Sequence, residues 1–133
     1  MRYDFRHYAF NSIFILENYS NVIELIENDL EKNQLVRAEQ LIQNTNDNIQ
    51  DILSKISEYS TNWSISRIGK AERSALILGI SELFLNLTPH KVILSEWTKI
   101  VDKHSTSDGA KFVNAILDSI SKNNDANWWH KHY

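Results

Sequence analysis

Cysteine is absent from the 133 residues, proline occurs once and glycine three times. The first absence excludes disulfides and thiolate chemistry, and it is compatible with a reducing compartment. The scarcity of the other two argues against sheets and barrels, which need turn residues at short intervals. It favours long helices with short connections. No apolar run approaches the roughly 18 residues of a membrane span, and Met1-Arg2-Tyr3-Asp4 lacks the apolar core of a signal peptide. The expectation is therefore a cytoplasmic protein without membrane contact. Glycine-rich phosphate loops, H-E-x-x-H and G-x-S-x-G are missing as well. Five histidines are scattered at 7, 90, 104, 130 and 132, and carboxylate pairs such as Asp47 and Asp51 fall on polar helix faces. No catalytic residue, metal ligand or cofactor is expected.

What is present fits one ordinary globular domain: 42% hydrophobic and 23% charged residues in a length sufficient for a real core. The net charge of −3 does not advertise nucleic-acid binding, but its distribution is uneven. Glu17, Glu24, Glu27, Asp29 and Glu31 make one region acidic, whereas Arg67, Lys70 and Arg73 gather cations with only Glu72 among them. Local field rather than net charge steers an anionic ligand.

Apolar periodicity predicts helices over residues 3–18, 20–32, 35–58, 67–86, 89–104 and 107–122, with a kink or break expected in the polar stretch Gln43 to Asn48. Tyr59 to Ser66 is the longest connection, dividing an N-terminal helical subdomain (about 1–60) from a C-terminal one (about 61–123), with Trp63 at the seam. Residues 124–133 form a short tail carrying Trp128, Trp129 and Tyr133, which could fold back over an apolar groove, stack on bases or anchor a dimer.

The last third carries most of the signal. Thr88-Pro89 reads as a helix start, with the threonine hydroxyl as cap. Ser105-Thr106-Ser107 ends that helix and caps the next, on which Val113, Ile116, Leu117 and Ile120 form one core stripe. Phe112 lies off that stripe, beside Asp108 and Lys111, and is expected to be at least partly exposed. On the first helix, Phe5, Ala9, Ile13 and Leu16 form one face and Tyr3, Arg6, Phe10 and Phe14 another. The structural reading is a helix buried on two sides with Arg6 snorkelling to water. The functional reading is a cation and aromatics offered to phosphates and unstacked bases.

The segments AERSALILGISEL (71–83), PHKVILSE (89–96) and AKFVNAILD (110–118), preceded by FRHYAFNSIFILE (5–17), come in the order and spacing of the NusB family of bacterial antitermination factors, which the chain resembles over nearly its whole length. The resemblance implies an all-α, NusB-like bundle of two three-helix-type subdomains. It implies an RNA- and protein-binding adaptor that loads, with the small-subunit ribosomal protein NusE, onto boxA-like single-stranded RNA and marks RNA polymerase for antitermination. It places Arg2, Arg6, Phe14, Asp108, Lys111 and Phe112 on the RNA face and Glu72 on the NusE face; a homodimer stays open. There are departures from the family pattern. Tyr3, Asp4 and Phe5 interrupt its arginine cluster, Ile77 stands where many members have arginine, and Ser81 stands where tyrosine is usual. The broken arginine cluster supports one other reading, a protein-binding module that has lost RNA affinity; the resemblance leaves a second, an accessory domain acting in trans for a ribosomal RNA methyltransferase, since some of those enzymes carry a NusB-like N-terminal domain.

Overall fold

The computed structural model describes residues 4–18, 30–61 and 68–124, with the side chains of 14–18 and 124 excepted. Among these residues every regular element is an α-helix: α1 (Phe5–Asn18), α2 (Lys32–Asp47), α3 (Ile49–Tyr59), α4 (Lys70–Leu85), α5 (His90–His104) and α6 (Ser107–Asn124). The all-α expectation holds. The helix expected over 20–32 falls mostly outside the described residues, as do Trp63, Arg67 and the tail.

The single helix expected over 35–58 is two. Asn48 adopts φ −120° and ψ 19°, outside helical geometry, and its side-chain amide donates to the Asn44 carbonyl at 2.9 Å. Asparagine competes for backbone hydrogen bonds in this way, which is why the polar stretch breaks the helix. The start of α5 also differs. Pro89, not Thr88, is its N-cap, and no described side chain caps it. The amides of Val92 and Ile93 are satisfied by the Pro89 carbonyl instead. The cap of α6 is as expected, Gly109 N–H donating to Thr106 Oγ1 at 2.9 Å.

α4 is the axis of the bundle. Thirteen of its sixteen residues are buried, so it has no solvent face for a periodic pattern to mark. It packs against α1, α2, α3, α5 and α6. Gly79 lets α6 approach closely: a Cβ there would stand 2.9 Å from a Leu117 methyl. Gly109 allows a similar approach near the start of α4, against Glu72. These two contacts fix α4 and α6 as parallel. α5 runs antiparallel to α6, since His90 meets Ser121 and Thr98 meets Asn114. At its far end α4 stops on Asn86, which takes the left-handed conformation (φ 54°) that asparagine tolerates better than most residues. Trp97, Ile93, Ile100, Leu117 and Ile120 fill the space between α4, α5 and α6.

Truncating Leu117 to alanine should lower the unfolding free energy by about 2–5 kcal/mol. Val36, 59% exposed on α2, should tolerate Val36→Ala within about 0.5 kcal/mol. Urea denaturation followed by circular dichroism measures both.

Candidate nucleic-acid interface

Two of the residues expected on the RNA face are buried. Arg6, on the first turn of α1, is buried rather than snorkelling to water. Its Nε and Nη2 donate to the two carboxylate oxygens of Glu82, at 2.9 and 2.7 Å. Trp97 Nε1 donates to the same Glu82 Oε1 at 2.8 Å. A carboxylate on a helix buried on all sides must find a counter-charge, and a bidentate guanidinium is the strongest available. Arg6 also lies over the Phe5 ring, 4.5 Å from its centroid, with Arg37 of α2 over the same ring at 4.0 Å. The guanidinium is thereby fully engaged.

Phe112 is the second correction. It is 6% exposed and belongs to the core. α6 packs against α3, α4 and α5, so its buried arc is wider than a single stripe. At about 100° per residue, Phe112 lies only about 40° from Ile116 and falls inside that arc. A single stripe suits a helix with one neighbour; this helix has three.

Glu72, expected to meet a protein partner, is buried too. One carboxylate oxygen accepts the Gly69 N–H at 3.2 Å, closing half of a capping arrangement at the start of α4. The other, Oε1, has no hydrogen-bond partner among the described residues. Gly69 and Gly109 press against this carboxylate, and a Cβ on Gly109 would stand 3.0 Å from Glu72 Cδ. Glu72 is thus the joint between the first turns of α4 and α6.

Asp108 and Lys111 are exposed on the first turns of α6, as expected. Lys103 and His104, on the last turn of α5, are exposed immediately before them; sequence reasoning passed these two over. His104 stacks at a tilt on Phe10 of α1, ring centroids 5.3 Å apart. Burial against that ring, with the charges of Lys103 and His7 nearby, holds the imidazole below its usual range. Arg2 lies outside the described residues, and the side chain of Phe14 does too. The structure therefore gathers Asp108, Lys111 and Glu72 at one end of α4. It leaves Arg6 at the other, ten residues or about 15 Å away along the helix axis.

At the start of α1, Asp4 accepts hydrogen bonds from the amides of Arg6 and His7 and pairs with His7 Nδ1 at 2.8 Å. Desolvation pushes its carboxyl up. The His7 hydrogen bonds and the charges of His7 and Arg6 outweigh that push and hold the group below the ordinary carboxylate value. Among the described residues no cluster of histidines and carboxylates could hold a metal ion. No described helix is long and apolar enough to cross a membrane.

Comparison with known proteins points one way. The NusB family profile matches residues 4–122. The transcription antitermination protein NusB of Natranaerobius thermophilus is 31% identical over 115 residues, 85% of this chain and 83% of that protein. The NusB of Pseudothermotoga lettingae is 32% identical over 123 residues, 88% of each. Among solved structures, T. maritima NusB superposes with a TM-score of 0.75 at 27% identity, covering 90% of this chain and 89% of that one. A structure of antitermination factors NusB and NusE in complex with dsRNA matches with a TM-score of 0.74 at 29% identity, covering 89% and 93%.

Arg6→Met leaves the Glu82 charge buried and unpaired and should cost about 3–5 kcal/mol. Adding Glu82→Gln, which removes that charge and retains an acceptor for Trp97, should recover some of the loss; strictly additive losses in urea denaturation would show that the two groups are not coupled. The pH dependence follows from the two depressed groups. For both, the unfolded chain binds protons that the folded chain does not, so stability falls as pH falls. The His104 share begins near its unfolded value of about 6.5. The Asp4 share begins near the unfolded carboxylate value of about 3.9 and ends below its folded value. Asp4→Asn should flatten the acid limb of thermal stability while leaving the limb near pH 6 in place.

Proposed function

The chain belongs to the NusB family, and on that footing we propose that it is a transcription antitermination adaptor. It binds a boxA-like segment of nascent RNA together with NusE and presents the pair to RNA polymerase, without performing chemistry itself. The observation that supports this most directly is the match, across 89% of the chain, to a NusB solved with NusE and RNA. The buried ionisable groups are consistent with an adaptor: Glu82 is engaged by Arg6 and Trp97, and Glu72 by the joint between α4 and α6.

The RNA face of this reading is centred on the first turns of α6. Lys111 supplies a phosphate contact there, Lys103 widens the basic edge, and Asp108 tunes it by opposing phosphate. Arg2 and Phe14, which lie outside the described residues or side chains, complete the set that the family resemblance assigns to RNA. Phe112 acts from beneath, as core packing that positions Lys111, and Arg6 orients α1 rather than gripping phosphate. Glu72 supports the NusE face in the same indirect way, by setting how α4 and α6 meet.

One observation favours a second reading, a protein-interaction module with weak RNA affinity. Of the two arginines at the start of the chain, Arg6 is consumed by Glu82. Fluorescence anisotropy with a boxA-like RNA, single-stranded and as a duplex, with and without NusE and across a salt series, separates the two. The adaptor should bind more tightly with NusE present. Lys111→Gln should reduce the log–log salt slope by about 0.7 on single strands with little change in stability. RNA affinity that stays negligible while NusE binds would establish the second reading. Phe112→Ala should destabilise the fold by about 3–5 kcal/mol, so its effect on RNA is interpretable only alongside a folding measurement.

A further inference from the structure

Arg37 of α2 is exposed, and its guanidinium carbon stands 4.0 Å from the centroid of the buried Phe5 ring. A cation over an aromatic face is held in place without spending its N–H groups. None of those groups has a hydrogen-bond or carboxylate partner among the described residues. The other cations at this end are committed. Arg6 is bound to Glu82 and lies 3.5 Å from Asp4, and Asp4 pairs with His7.

Arg37 borders a notch of about 20 Å³ between α1, α2 and the turn from α4 to α5. A space of that size admits one water-sized atom and not a side chain. Gln40, Thr88 and Glu82 share its lining, with Leu87 beside them. Gln40 follows Arg37 by three residues, on the same side of α2. The Thr88 hydroxyl, which the local pattern offers as the cap of α5, does not cap it. No hydrogen bond among the described residues engages either side chain. Glu82 is the one carboxylate in the lining, and its oxygens already accept from Arg6 and Trp97. The notch thus combines an unspent guanidinium with two unspent neutral donors.

An anion seated here would place one oxygen in the notch and another on the guanidinium fork, the geometry in which arginine holds phosphate. Arginine, glutamine and threonine side chains are the usual donors to nucleic-acid phosphate and sugar. Leu87, 67% exposed, offers the adjoining sugar or base an apolar contact. We propose that this notch takes a backbone phosphate of single-stranded RNA, gripped by Arg37 with Gln40 and Thr88 as neutral donors. The assignment rests on the RNA-binding reading above and deepens it. The strand is then held at two points, by Lys111 at the start of α6 and by Arg37 at the opposite end of α4, where Arg6 is turned inward.

The test is fluorescence anisotropy of the full chain with NusE and a single-stranded boxA-like RNA across a salt series, with a thermal melt of each variant. Arg37→Gln should weaken binding several-fold and reduce the log–log slope by about 0.7. Arg37→Lys should keep the slope, because the charge remains, yet lose affinity, because an ammonium cannot grip two oxygens in a fixed fork. Thr88→Val should also lose affinity at an unchanged slope. Lys32→Gln, at an exposed cation beginning the same helix, should change binding less than Arg37→Gln does. If Arg37→Gln melts well below the parent, Arg37→Lys and Thr88→Val decide. Parental affinity in either Arg37 variant would overturn the notch and leave the RNA-binding reading standing, as would an equal loss in Lys32→Gln. Loss of NusE binding in Arg37→Gln with RNA affinity unchanged would assign the notch to a protein carboxylate and overturn it too. A parent that binds no RNA under any of these conditions would remove both readings.

Discussion

The bidentate contact between Arg6 and Glu82 is the interaction on which the arrangement of the helices rests. Glu82 sits near the end of α4, a helix buried on every side, where a lone carboxylate would be intolerable. Arg6 from α1 and Trp97 from α5 satisfy it from two directions. Two consecutive helices and one from the start of the chain are thus registered on one side chain. Hydrophobic contacts alone are less exacting, because apolar surfaces can slide past each other at small cost. A bidentate guanidinium–carboxylate pair with an indole donor on the same oxygen cannot.

A second polar contact acts similarly on the other flank of α4. Asn44 of α2 donates to the carbonyl and hydroxyl of Ser81 at 3.0 and 2.9 Å. Ser81 is fully buried, so the position where the family commonly has tyrosine is used here to receive α2 closely. Between these polar fixings the small residues Gly79 and Gly109 allow α6 to lie directly on α4. The first turns of α6 are therefore presented at a set height above the start of α4, with Lys111 and Asp108 outward and Phe112 inward. In the proposed RNA-binding role such rigidity would leave fewer side chains to be ordered on binding.

Burial sets three of the residues that a motif comparison singles out inside the fold. Matching Arg6, Glu72 and Phe112 to a family's ligand-contacting positions identifies residues that matter, yet each of them works here inside the fold. Their chemistry is that of ligand binding, a cation, a carboxylate and an aromatic ring, turned towards one another and the core. Lys103 and Lys111 at the α5–α6 junction are exposed, whereas Arg6 is not.

The sequence by itself determined the helical class, through scarce glycine and proline and 3.6-residue periodicity, and it determined the order of the helices and the family. It also indicated the break near Asn48 and the threonine-capped start of α6, because capping and helix interruption are local events set by a few neighbouring residues. Only the tertiary structure decided which polar residues face inward. Periodicity measures one helix against one neighbour, and α4 and α6 each have several, so Phe112, at the margin of a single stripe, is buried by a further neighbour. The partnership of Arg6 with Glu82 spans 76 residues, and no local pattern joins them. A charged residue within a largely apolar helix was the available signal that such a partner must exist; which residue supplied it depended on how the helices pack.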